Sequence, residues 1–151
     1  MTRLPTQRIL WAALALALLV RLLTLGLYPL ADTTEARYAE IARKMIALGD
    51  WITPWYDDGV PFWAKPPLSM WVTAASMKLL GVNAFAARLP HLGVALLMLW
   101  LLWDWLRARG AREAQYAVTL LAGTALFYIA AGAVMTDMTL ALGLLLVLRG
   151  F

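Results

Sequence analysis

The sequence predicts an all-α, polytopic integral membrane protein. Hydrophobic residues make up 63% of its 151 residues and charged residues only 15%. Its mean hydropathy is +0.72, and apolar runs of bilayer-crossing length recur along the chain. A soluble domain carries about 45–50% apolar and about 25% charged residues. This composition excludes a disordered chain. The absence of cysteine excludes a disulfide scaffold, a thiol nucleophile and a thiolate metal site. The net charge of +4 comes from scattered arginines and not from a basic stripe, so nucleic acid is not an expected partner.

Four apolar segments are read as spans, over about 9–30, 89–106, 114–134 and 138–151. The first reaches about 33 Å as a helix, enough to cross a hydrocarbon core. Arg3 and Arg8 precede it, which places its start on the cytoplasmic side. A cleaved leader is the competing reading of a basic start and an apolar core. No small-x-small cleavage site follows, and apolar sequence resumes after Arg21, so a retained helix is expected. Arg21 is costly inside a span and is expected to face the bundle or to snorkel. Arg107, Arg109 and Arg112 make the short turn between the second and third spans the densest basic cluster. This turn is placed inside, and residues 31–88 and the neighbourhood of Asp137 outside. Asp104, three residues before Arg107, reads as half of a helix-end ion pair. The chain stops in mid-span at Phe151, which suggests the N-terminal portion of a longer protein.

The outer loop, 31–88, is rich in charge, tryptophan and proline. A helix is predicted over Thr33–Leu48, with Gly49 as its stop. Residues 50–67 read as irregular and aromatic. A second helix, Leu68–Leu80, is too short to span and is read as lying at the membrane surface. The cluster of Trp51, Trp55, Tyr56 and Trp63 reads either as an interfacial aromatic belt or as a platform for sugar or isoprenoid.

Three acids stand out. Asp32 and Glu35 open the first loop helix, where Asp32-Thr33-Thr34-Glu35 reads as a capping box. A first-turn acid can also point into a cleft and take a proton from an acceptor hydroxyl. Asp137 starts the fourth span, either as an N-cap or as an intramembrane functional acid. Lys65 precedes Pro66 and Pro67, which hold it in extended backbone. It reads either as a partner for a phosphate or as a headgroup anchor. Arg37 and Tyr38, one turn into the loop helix, are candidates to join it on a phosphate, against the reading of a solvated face. His91 is alone as a histidine and is a weak metal signal.

Taken in order, Thr34-Glu35-Ala36-Arg37-Tyr38-Ala39-Glu40-Ile41-Ala42-Arg43, Gly49-Asp50-Trp51-Ile52-Thr53-Pro54, Lys65-Pro66-Pro67-Leu68 and Ala87-Arg88-Leu89-Pro90 resemble the start of the aminoarabinose lipid A transferase family. That family is grouped with the protein O-mannosyltransferases among GT-C type membrane glycosyltransferases. The resemblance implies a GT-C type N-terminal part, with about four transmembrane helices and surface-lying helices in the first outer loop. It implies transfer of a sugar from a polyprenyl-phosphate donor to a lipid A-like glycolipid or a protein acceptor, at the outer face of the inner membrane. The implied roles put Asp32 or Glu35, together with Asp137, at the acceptor, and Lys65 on the donor phosphate, with Arg37 and Tyr38 kept as the substrate-binding candidates named above. Two positions depart from the pattern. Thr34 stands where the family writes aspartate. A divalent metal ion is the cofactor the resemblance raises, but Ala64 replaces the glutamate that binds it in the aminoarabinose branch, so no ligand set is assigned. The piece alone is expected to be inactive. The alternative is a small non-catalytic membrane protein that binds lipid or a partner.

Overall fold

The computed structural model describes residues 4–150, so Arg3 and Phe151 lie outside the described residues. The elements in chain order are α1 (Leu4–Thr24), α2 (Thr33–Leu48), β1 (Trp55–Asp57), β2 (Val60–Pro61), α3 (Leu68–Leu80), α4 (Ala84–Leu106), α5 (Ala111–Gly123), α6 (Ala125–Ala130) and α7 (Asp137–Gly150). The all-α prediction holds, with one small hairpin added.

Local chemistry sets the loop helices. Asp32 caps α2 by accepting from the backbone N–H groups of Thr34 and Glu35, which satisfies two of the orphan donors of the first turn. Gly49 ends α2 at φ +68°, a left-handed conformation that glycine adopts without a Cβ penalty. Asn83 caps α4 through the N–H of Ala86, 2.8 Å away. Residues 50–67, read as irregular, fold back as β1–β2 around Gly59 at φ +73°.

The bundle alternates direction. Gln115 Nε2 donates to Gln7 O at 2.7 Å, and the Tyr128 hydroxyl donates to Ala17 O at 3.3 Å. α1 therefore runs parallel to the α5–α6 pair. Trp11, early in α1, meets Trp103, late in α4, edge to face at 5.1 Å, so α4 runs back. Arg149, late in α7, pairs with Asp104, late in α4, so α7 runs with α4. Tyr38, Ala39, Ile41 and Met45 of α2 pack against Met70, Ala74 and Met77 of α3 in one core. A second core, including Leu25, Leu92, Met98, Val118, Phe127 and Met138, fills the space between the long helices.

The spans differ from the expected segments in extent. Gln7–Thr24 and Ala84–Leu106 are each long and apolar enough to cross a bilayer. The second begins five residues earlier than expected and carries Pro90 inside the helix. The third expected span, 114–134, is not one helix. It breaks at Thr124, whose backbone is extended (φ −71°, ψ 135°) and whose hydroxyl caps α6 through the N–H of Phe127. It stops at Ala130, and residues 131–136 lead irregularly into α7. Hydropathy reads the segment as continuous because every residue at the break is apolar or small.

Candidate active site

The end of the bundle where α1 stops and α2, α4 and α7 start is knitted by one buried ion pair. Arg88, on the second turn of α4, is fully buried, and Glu35, on the first turn of α2, nearly so. Arg88 Nε donates to Glu35 Oε1 at 3.0 Å, and Nη2 donates to Oε2 at 2.8 Å. This fork matches the two carboxylate oxygens in one plane. Nη1 donates to Leu25 O and Tyr28 O, each at 2.8 Å, and Nη2 also donates to Pro29 O at 3.1 Å. The Tyr28 ring lies 3.8 Å from the guanidinium carbon. Glu35 Oε1 additionally accepts the N–H of Val134 at 2.9 Å. A buried charge survives only when paired and hydrogen-bonded, and here all three nitrogens of Arg88 donate and both oxygens of Glu35 accept.

Asp32 lies one turn from this pair. Its Oδ1 is committed to Thr34 N at 2.8 Å and Glu35 N at 3.2 Å, and the side chain is exposed. Asp137 is the first residue of α7, three positions beyond Val134. It is exposed and lines an otherwise apolar cavity of about 300 Å³ with Met98, Phe127, Ala130 and Met138. Lys65 is exposed. The next residue, Pro66, faces Thr139, Leu140 and Gly143 of α7 across a groove of about 290 Å³. The turn carrying Lys65 and the turn carrying Asp137 therefore share the same end of α7. Asp104 sits at the opposite end, paired with Arg107 at 2.7 Å and with Arg149.

Arg37 and Tyr38 point to different sides of α2. Arg37 lines a polar groove of about 450 Å³ with Thr33, Glu40, Lys44, Tyr56 and Asp57, its guanidinium 5.7 Å from the Tyr56 ring centre. Tyr38 is buried, edge to face with Phe62 at 5.9 Å. The charges around this groove are mutually engaged. Arg43 forks onto Glu40 at 2.7 Å and holds the Glu40 carboxyl below its usual range. Lys44 donates to Tyr56 O at 3.2 Å and lies 3.6 Å from Asp57. The Asp57 carboxyl is lowered by the N–H of Asp58 and by Lys44. Among the aromatics, Trp55 donates its indole N–H to Asp50 at 2.9 Å, and Trp71 donates to Trp51 O at 2.6 Å. Trp63 is 67% exposed, on the same turn as Lys65.

The residues do not by themselves compose a metal centre. Ala64 has no side-chain oxygen, its neighbour Lys65 is a cation, and no three His, Asp or Glu side chains converge among the described residues. His91 is committed elsewhere: it is buried against α3, its Nε2 3.0 Å from the Thr73 hydroxyl.

Sequence reading missed Arg88 as a site-building residue and the Val134 N–H altogether. The available signal was the arginine itself, placed at the head of an apolar helix where only a partner makes it tolerable.

These features define a polytopic helical membrane protein with a buried Glu35–Arg88 ion pair and the candidate residues Asp32 and Asp137 toward one end of the bundle. Residues 64–149 match the family described as dolichyl-phosphate-mannose-protein mannosyltransferase, and the chain belongs to that family. It is similar to the proteins named undecaprenyl phosphate-alpha-4-amino-4-deoxy-L-arabinose arabinosyl transferase. The match is 42% identical over 71 residues with that of Shewanella sediminis, covering 47% of this chain and 13% of the relative. It is 37% identical over 94 residues with that of Aeromonas salmonicida, covering 60% and 17%. Two crystal structures of ArnT from Cupriavidus metallidurans superpose on it at 36% identity. The apo form has a TM-score of 0.80, and the form bound to undecaprenyl phosphate 0.83. In both, 92% of this chain aligns with 26% of the ArnT chain. The chain thus spans about a quarter of ArnT and less than a fifth of these two curated relatives. The GT-C type fold and the family expected from the motifs are both established.

Proposed function

We propose that this chain is the N-terminal part of a glycosyltransferase that moves a sugar from a polyprenyl-phosphate donor to a hydroxyl of a glycolipid or protein, at the outer face of the inner membrane. What supports the reading is that Asp137, at the start of α7, lines one cavity while Pro66, next to Lys65, lines a second groove along the same half of α7, and that the Glu35–Arg88 pair holds Val134 three residues before Asp137. Relatives named as undecaprenyl phosphate-linked arabinosyl transferases, and an ArnT structure bound to undecaprenyl phosphate, support the donor class.

In this reading the acceptor oxygen attacks the anomeric carbon as its proton passes to a carboxylate. The carbon–oxygen bond to phosphate breaks, and its electron pair leaves with the polyprenyl phosphate. Asp137, exposed at the mouth of an apolar cavity, is the acid best placed to take the proton. Asp32 orients the acceptor from the α2 cap. Lys65 neutralises charge on the departing phosphate. Glu35, with both oxygens occupied, acts by holding the site together. Arg37 opens on the separate groove beside Tyr56 and serves the sugar or headgroup end of a substrate, while Tyr38, buried against Phe62, packs α2 and touches no substrate. No step is assigned to a metal. The test is Asp137→Asn in the complete protein, with transfer of radiolabelled sugar from the lipid donor as the readout. Abolished transfer with normal membrane insertion is expected, and undiminished turnover overturns the assignment.

A further inference from the structure

We infer that Arg21 and Gly132 form a clamp that positions Asp137, a role that rests on the transferase reading only for its kinetic consequence. Residues 131–136 carry the chain into α7 without a regular helix, yet 131–134 are buried. Irregular backbone at membrane depth is tolerated only where protein holds it. Two charged side chains do so, one near each end. Glu35 takes the N–H of Val134 at 2.9 Å. Arg21, on α1, donates through Nη2 to Ile129 O at 2.8 Å. That carbonyl also accepts the N–H of Gly132 at 3.1 Å, so the arginine braces the turn that opens the segment.

Gly132 is required by that contact. A Cβ built there would overlap Arg21 Nε and Cζ. The bare glycine lets the guanidinium lie against the backbone, with the Tyr128 ring 5.5 Å away on another side. Among the described residues Arg21 has no carboxylate within ion-pair distance, and its Nε is buried without a hydrogen bond. A leucine would suit the bilayer far better at this place in a span. The arginine makes physical sense as the brace of a carbonyl at the broken end of α6, eight residues before Asp137. Bracing one end of the segment and pinning Val134 near the other fixes where α7 begins, and with it the direction of the Asp137 carboxyl. Arg21 touches no reacting atom in this scheme; it is a positioning residue acting through the 131–136 backbone.

The test uses the complete protein purified in detergent, with two readouts. Hydrogen exchange of the amides at 131–137 reports the segment directly, and transfer kinetics report Asp137. Arg21→Gln is expected to speed exchange in 131–136 while α4 stays protected. It should lower kcat on the order of 10- to 100-fold, the effect of a small misplacement of a reacting group, with donor KM within about twofold. Arg21→Lys should recover part of kcat. Gly132→Ala should reproduce Arg21→Gln, yet cost nothing further when added to Arg21→Ala, because the two residues act through one contact. If Arg21→Gln does not fold, Gly132→Ala and Arg21→Lys carry the same comparison. Unchanged exchange at 131–136 overturns the clamp whatever the kinetics do, and a raised KM with unchanged kcat overturns the positioning role. Faster exchange in a protein whose wild type transfers no sugar upholds the clamp and removes the transferase reading alone.

Discussion

Arg88 Nη2 and Glu35 Oε2 stand 2.8 Å apart, although 53 positions separate them in the chain. The pair joins α2 to α4, and through the remaining donors of Arg88 and the Val134 N–H it also joins the end of α1 and the approach to α7. Removing one member strands a buried charge. Glu35→Ala or Arg88→Ala should therefore destabilise the protein by about 3–5 kcal/mol. Removing both, as Glu35→Leu with Arg88→Met, should cost less than either single change. Thermal unfolding in detergent, followed by near-ultraviolet circular dichroism, measures both. A double variant weaker than the singles would show that the pair does not act as a unit.

Asp50 offers a pH test outside the membrane. Its carboxylate accepts the N–H groups of Thr53 and Ile52 and the Trp55 indole, led by Thr53, and its pKa is lowered to about 2. A lowered folded-state pKa contributes stability that is complete above the unfolded value, near 3.8, and is lost as pH falls through the folded one. The loop at 50–57 should stay closed at neutral pH and open as pH drops from about 4 to about 2. Trp55 fluorescence in a variant lacking the other loop tryptophans follows this, and Asp50→Asn should remove most of the acid dependence.

Thr73 donates to Ser69 O at 2.8 Å, so its hydroxyl proton is committed and His91 Nε2, 3.0 Å away, must carry the shared proton. Thr73→Val leaves that imidazole N–H buried without an acceptor. It should cost about 1–3 kcal/mol, whereas Thr73→Ser should cost less than half as much. Chemical-denaturant or thermal midpoints of the two variants give the comparison.

Lys65 is exposed and sits in a bend just before Pro66, not in the extended backbone expected from the proline pair. If it bears on the donor phosphate, Lys65→Ala should lower kcat/KM on the order of 10- to 100-fold, the worth of a hydrogen bond to a charged group. Lys65→Arg should keep much of the rate, since the cation is retained. A Lys65→Ala enzyme with unaltered kcat/KM would assign this lysine to lipid headgroups instead.

The elements whose signals are local were legible in the sequence. Asp32 and Gly49 mark the two ends of α2 by capping chemistry, and the periodic apolar face of 68–80 marks α3. The break at Thr124 was not legible, because a hydropathy profile records side chains while the break is a matter of which carbonyl each N–H finds. Part of the candidate site followed the same division. The sequence placed Asp32, Lys65 and Asp137 toward one side through span counting. Alternation alone could not tell that Glu35 spends both oxygens on Arg88 and Val134, since no local pattern links residues so far apart. The separate facings of Arg37 and Tyr38 were available in principle: adjacent helical residues diverge by about 100°.

The groups that meet at the Arg88–Glu35 pair also have an order of arrival. Leu25, Tyr28, Pro29 and Glu35 all leave the ribosome before the arginine does, and Val134 leaves after it. Synthesis in chain order therefore makes every acceptor of the cation before the cation itself. The last bond, given to Glu35 by an amide still to be synthesised, ties the segment between α6 and α7 to that pair.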